Sequence, residues 1–269
     1  MLLPASYLNG FAPRDGQPLY PSLWKGCCGA WNPGLGPSGL VLRDNSGFKN
    51  NGTLTNGPTF AASQGKYAMS FDGVNDYVII PDSNSLDITN TFTISFWFKP
   101  LVLNQTNTYL ISKPKTTNDD DNSFSVIWEY VDNTVEFYSG DFTGTNPRTG
   151  SGISVTDTNM HHIAYSSTGD TWSGYKDGIN VFSVARVFSL VASTKSLFFG
   201  NINASFGAFS NVQLDDVRIY NRALSPDEIR TLSTRRGIAY EMAPRRRSSS
   251  AVAVTSYSTF RPSVLRGSR

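Results

Sequence analysis

Four glutamates, Glu129, Glu136, Glu228 and Glu241, are the only ones in this chain, and a Glu-based pair for cleaving glycosidic bonds would have to include one of them. None has an acidic partner at the spacing that sets two carboxyl groups roughly 5 to 5.5 Å apart on one strand. His161 and His162 are the only histidines, and adjacent residues of a strand face opposite ways, so they cannot cooperate at one site. No nucleophile elbow, phosphate-cradling glycine loop or zinc-ligand spacing is present. The expectation is therefore a protein that is not an enzyme. Binding chemistry is better represented. Trp128, Tyr130, Trp172 and Tyr175 carry ring faces able to stack on sugars, with Asn118 and Asn122 on the adjacent loop to read hydroxyls. Core packing is the competing role for each ring, and Trp31 and Trp97 are expected in the core outright. Asp119-Asp120-Asp121 is expected in a solvated loop.

These residues must be positioned by strands. Phe92, Ile94, Phe96 and Phe98 alternate with Thr91, Thr93, Ser95 and Lys99, the period of a half-buried central strand. Further strands are expected over 109–112, 124–130, 134–138, 163–166, 172–176, 181–184, 197–200 and 214–220. Asp177-Gly178 suits a tight type I′ hairpin turn, whose central residues both need positive φ. In the last strand Val217 and Ile219 belong to a buried face and Asp216, Arg218 and Tyr220 to a wet one. A turn follows, then Ser225-Pro226-Asp227-Glu228, a capping box with proline at the first helical position, predicting a short helix over roughly 226–232. With Phe 17, Tyr 12, Trp 5, Gly 23 and Pro 14 in 269 residues, this is an all-β composition with ample bulk for one core.

Five segments, in order, resemble the laminin-G-like domains of the concanavalin A-like superfamily. They are Arg43-Asp44-Asn45-Ser46-Gly47 through Asn51-Gly52-Thr53-Leu54; Met69-Ser70-Phe71-Asp72-Gly73-Val74-Asn75-Asp76-Tyr77-Val78; Phe92 to Lys99; His161-His162-Ile163-Ala164 with Tyr175-Lys176-Asp177-Gly178; and Leu214 to Ile229. Where the family usually has Trp before the paired histidines, this chain has Met160. The resemblance implies a jelly-roll sandwich of two antiparallel sheets with one short C-terminal helix. Glycoside hydrolases sharing that sandwich carry a Glu-x-Asp-x-x-Glu strand, which is absent here. The resemblance also implies a place for a structural calcium ion, with Asp44 in the opening turn and Asp215 or Asp216 in the closing strand as ligands. The competing roles are an Asx turn at Asp44 and pairing of Asp216 with Arg218.

The formal charge of +2 is unevenly spread. Arg245, Arg246, Arg247, Arg261, Arg266 and Arg269 fall in a final stretch without acids. The chain divides into an extended N-terminal arm (1–20), the sandwich (21–241) and a basic, strand-competent tail (242–269). In the tail Val252, Val254, Tyr257 and Phe260 could add a strand to a neighbouring subunit while Arg245, Arg246 and Arg247 pair with its carboxylates. Nucleic acid is not the expected target. Adjacent Cys27 and Cys28 are expected reduced, since neighbours fit disulfide geometry poorly. Met1-Leu2-Leu3-Pro4 does not begin a secretory signal and no stretch approaches a membrane span. Synthesis in a cytoplasm is the expectation. This layout is similar to laminin-G-like proteins of tailed-phage and environmental viral genomes. The resemblance implies a non-catalytic virion structural protein, a capsid decoration or tail-associated subunit displayed on the virion surface. The alternative is a carbohydrate-binding module for host-surface or environmental polysaccharide.

Overall fold

A computed structural model describes residues 18–35, 39–103, 107–114, 121–129, 132–141, 152–185, 190–202 and 208–242. They form two antiparallel sheets. The first runs β14 (Ile179–Ala185), β13 (Thr171–Lys176), β12 (His161–Thr168), β7 (Thr91–Pro100), β16 (Asn211–Tyr220), β5 (Lys66–Asp72) and β4 (Thr59–Ser63), with β1 (Cys27–Trp31) paired to the far half of β16. The second runs β11 (Ile153–Ser154), β10 (Thr134–Asp141), β9 (Asp121–Glu129), β8 (Thr108–Pro114), β15 (Leu197–Phe199), β6 (Tyr77–Ile80), β3 (Gly52–Thr55) and β2 (Val41–Leu42). This is the jelly-roll sandwich expected from the alternation and from the five segments.

The inner faces interlock through large rings. Phe92, Ile94, Phe96 and Phe98 of β7 and Phe124, Val126 and Trp128 of β9 share one core with Trp31, Phe137, Tyr165 and Trp172. Trp172 lies 4.5 Å from Phe137 and stacks on Tyr165 at 5.4 Å, ring centre to ring centre. The Tyr165 hydroxyl donates to the Val135 carbonyl at 2.6 Å, tying the first sheet to the second.

The outer face of the first sheet is not wet, contrary to the alternation. Thr93, Ser95, Arg218 and Tyr220 are buried because α1 (Pro226–Leu232) and the 3₁₀ turns Pro21–Trp24 and Ile238–Tyr240 cover them. The capping box forms as expected: Glu228 N–H donates to Ser225 Oγ and Ser225 N–H to Glu228 Oε2. Arg222 grips the same carboxylate through two 2.8 Å bonds, a fork stronger than a single neutral bond. Ile229 and Leu232 then point down onto Leu23, Tyr220 and Ile238. The Asp177-Gly178 hairpin has φ of 51° and 80°, as predicted.

At Asp216, with φ 45°, the register of β16 against β7 shifts between Asp215 and Arg218. This bulge turns both aspartates outward, where Asp216 Oδ1 accepts from Arg218 Nε at 2.9 Å and Oδ2 from the Gly237 amide at 2.9 Å. The Arg218 guanidinium lies 4.8 Å from the Trp24 ring and 4.7 Å from that of Tyr240. Pro18 pairs with Met242, and the Leu19 amide donates to the Glu241 carbonyl at 2.8 Å. Cys27 and Cys28 are free thiols, and burial pushes Cys27 up to about 12.

Candidate functional site

Two of the rings expected to stack on sugars do not face outward. Trp128 and Trp172 are 0% exposed within the shared core, so they have no face to offer. Tyr175, 6% exposed, packs with Ala164 and Leu232 beneath α1. The reason is strand parity: each of the three lies on the side of its strand that the sandwich or helix covers. Asn122 stands on β9 opposite Gly140. Tyr130, Asn118, Arg245, Arg246, Arg247, Val252, Val254, Tyr257 and Phe260 lie outside the described residues.

The three aspartates expected to hold calcium have other partners. Asp44 Oδ1 accepts from the amides of Ala30 and Ser46 at 2.9 and 2.8 Å, and Oδ2 from Ser46 Oγ and the Asn50 amide at 2.7 and 2.8 Å. A cation there would have to displace four donors. Asp216 is engaged as described, and Asp215 Oδ2 lies 3.2 Å from Arg236. Burial and the Asp216 carboxylate push Asp215 up to about 7. Among the described residues no three His, Cys, Asp or Glu side chains form a metal-holding group. The competing roles, an Asx turn and a pair with Arg218, are the ones the structure shows.

The hairpin β9–β10 puts different residues outward. With Phe124, Val126, Trp128, Val135 and Phe137 inside, the alternation sends Ser125, Ile127 and Glu129 and, on β10, Thr134, Glu136 and Tyr138 to the outer face of the second sheet. In register they stand beside Ser112 and Tyr109 of β8, with Phe198 and Ile79 beyond. Ser112 and Ser125 hydroxyls bond at 2.9 Å. Tyr77 and Phe198 rings lie 6.0 Å apart. The Tyr138 hydroxyl lies 2.7 Å from Glu129 Oε1 and 2.9 Å from Glu136 Oε2. Its one hydrogen serves one carboxylate at a time, and burial together with these two acids holds it well above the usual phenol range. Tyr109 and Glu136 are partly exposed, whereas Ser112, Ser125, Ile127, Glu129 and Tyr138 are buried. Two glutamates that look isolated in sequence are thus brought together by the hairpin. The signal that finds them is the parity of Phe124, Val126 and Trp128.

His161 and His162 face opposite ways, as expected. His162 Nε2 and Ser95 Oγ lie 2.9 Å apart and both are buried, with the His162 ring 5.4 Å from that of Trp97. His161 sits near the surface, with Nδ1 2.8 Å from Asp177 and Nε2 3.0 Å from Asp157.

Two antiparallel sheets in this order define a lectin-type β-sandwich fold. The chain belongs to the Laminin_G_3 family of the concanavalin A-like lectin/glucanases superfamily, which matches residues 72–230. No curated protein matches it in sequence. Among solved structures, it is similar to domain 4 of AbnA, a GH43 extracellular arabinanase from Geobacillus stearothermophilus, in complex with arabinotriose. The identity is 19% over 82% of this chain and 100% of that one, with TM-score 0.61. The binding domain of Paraclostridial Mosquitocidal Protein 1 is 16% identical over 78% of this chain and 52% of that one, TM-score 0.62. Trypanosoma rangeli sialidase in complex with sialic acid is 16% identical over 78% and 33%, TM-score 0.58. The chain therefore spans about half of the one and a third of the other. At these identities the likeness is one of fold.

Proposed function

We propose that this protein is a non-catalytic carbohydrate-binding module, and that the outer face of the second sheet holds the sugar. The observation that carries this reading is the placing of the partly exposed Tyr109 and Glu136 in one row across β8, β9 and β10, ring and carboxylate chemistry suited to polysaccharide hydroxyls. The arabinotriose-bound AbnA domain of similar fold supports it. Turnover is disfavoured by the Tyr138 hydroxyl itself. It lies within hydrogen-bond distance of the Glu129 and Glu136 carboxylates, where a glycosidic oxygen and its attacking group would need to sit. Saturable binding on a glycan array, lost in Tyr109→Ala with the fold retained, is the expected result; silence across the array would sink the reading.

A second reading, virion subunit of a tailed phage, is favoured by one observation. Pro18 and Met242 are paired, so the two ends of the described sandwich lie side by side, as suits a joint anchor on a neighbour. Removing residues 243–269 should then abolish incorporation into particles, and normal incorporation would dismiss the idea. Cytoplasmic synthesis and display on the virion surface go with this reading.

A further inference from the structure

Both ring nitrogens of His161 face carboxylates. Nδ1 lies 2.8 Å from Asp177 Oδ2 and Nε2 3.0 Å from Asp157 Oδ1. A carboxylate only accepts, and a neutral imidazole has one N–H and one lone pair, so the neutral ring can serve one of the two. The imidazolium donates to both. The two acids belong to different elements. Asp177 is fixed in the turn between β13 and β14: its Oδ1 accepts from the His162 amide at 2.9 Å, and its own amide donates to the His162 carbonyl at 2.8 Å. Asp157 lies in the strap 155–160, which carries the chain from β11 of the second sheet to β12 of the first. Val155 and Met160 anchor the ends of this strap, one in the core and the other against Trp97, while Thr156, Thr158 and Asn159 between them are exposed. The Asn159 amide and the His161 ring hold Asp157 below its ordinary value, so this acid stays ionised well into acid solution. Among the described residues Lys176 is its further charged neighbour, with Nζ held by the Ser154 carbonyl at 2.9 Å.

We propose that His161 is a pH-operated clasp. Doubly protonated, it closes the strap onto the turn between β13 and β14. On losing one proton it keeps the Nδ1–H bond to Asp177, which two backbone bonds fix in place, and turns a lone pair toward Asp157. That carboxylate is nearly half exposed, so water takes the place of the ring and the middle of the strap comes away between its anchors. Rising pH thus loosens the crossing from one sheet to the other, and falling pH closes it.

The test follows the full chain by NMR through the His161 titration, reading the ring nitrogens and the hydrogen exchange of the strap amides in the same samples. The neutral ring should carry its proton on Nδ1. The Asn159 amide, bound to Asp157 Oδ1 at 2.7 Å, should then exchange at least about tenfold faster, beyond the intrinsic pH dependence, the scale of a lost hydrogen bond to a charged group. In Asp157→Asn the new side-chain N–H can donate to a neutral Nε2 and its oxygen can accept from a protonated one, so strap protection should stay level across the same titration. A neutral ring protonated on Nε2, or protection that does not change as the unmodified chain titrates, overturns the clasp. A step that persists in Asp157→Asn assigns the opening to another group and overturns it as well. If that variant does not fold, the two readings on the unmodified chain decide alone.

Discussion

Removing the indole of Trp172 empties a space bounded by Phe92, Phe137 and Tyr165, so Trp172→Ala should cost about 3 to 5 kcal/mol of stability. Denaturant midpoints check this. Tyr109→Ala, at a partly exposed ring, should cost far less stability and, on the proposed reading, remove sugar binding. His162 supplies a pH dependence. Burial dominates and lowers it from the ordinary 6.5 to about 4. Between these values the unfolded chain takes up the proton and the folded one does not. The stabilising contribution is therefore fully present above pH 6.5 and is lost as pH falls toward 4, by about 3 kcal/mol. Asp215, raised to about 7, contributes with opposite sign over this range, so the His162 part is read as a difference: the urea midpoint of His162→Asn relative to the parent should rise from pH 7 through 5.5 to 4.5.

The closing strand and its helix show how far an element can be read from its residues. Ser225, Pro226 and Glu228 spell out a helix start because a cap is a local hydrogen-bonding unit; Ser225→Ala should lower stability by about 1 kcal/mol. The bulge at Asp216 was not legible, since it depends on how β16 meets β7. Asp216→Ala leaves the buried Arg218 guanidinium without its counter-charge and should cost about 3 to 5 kcal/mol, much of it regained when Arg218 is also made Met. Parity explains the rest. The alternation of β7 and the five family segments made the sandwich readable, but Trp128 looks like a sugar platform until its strand is placed against Phe124 and Val126. Ile127 and Glu129, which do face outward, carry no distinctive signal alone. Glu129 and Glu136 meet only through the hairpin, a relation that single-strand spacing cannot reveal.

For the molecule as a whole, Asp44 accepts four hydrogen bonds and Asp215 and Asp216 sit in ion pairs. Calcium or a chelator should accordingly leave Tm unchanged, whereas an ion present at 100 times its Kd would add about 2.7 kcal/mol. Calorimetry with and without chelator decides. The pairing of Pro18 with Met242 has a consequence for how this body can be shared among architectures. A unit that enters and leaves at one point can be spliced into a surface loop of a host, or rejoined at its old ends and reopened at a hairpin tip, without separating its sheets. The Gly65 turn, at positive φ with open space around it, is the natural place to try such a new opening.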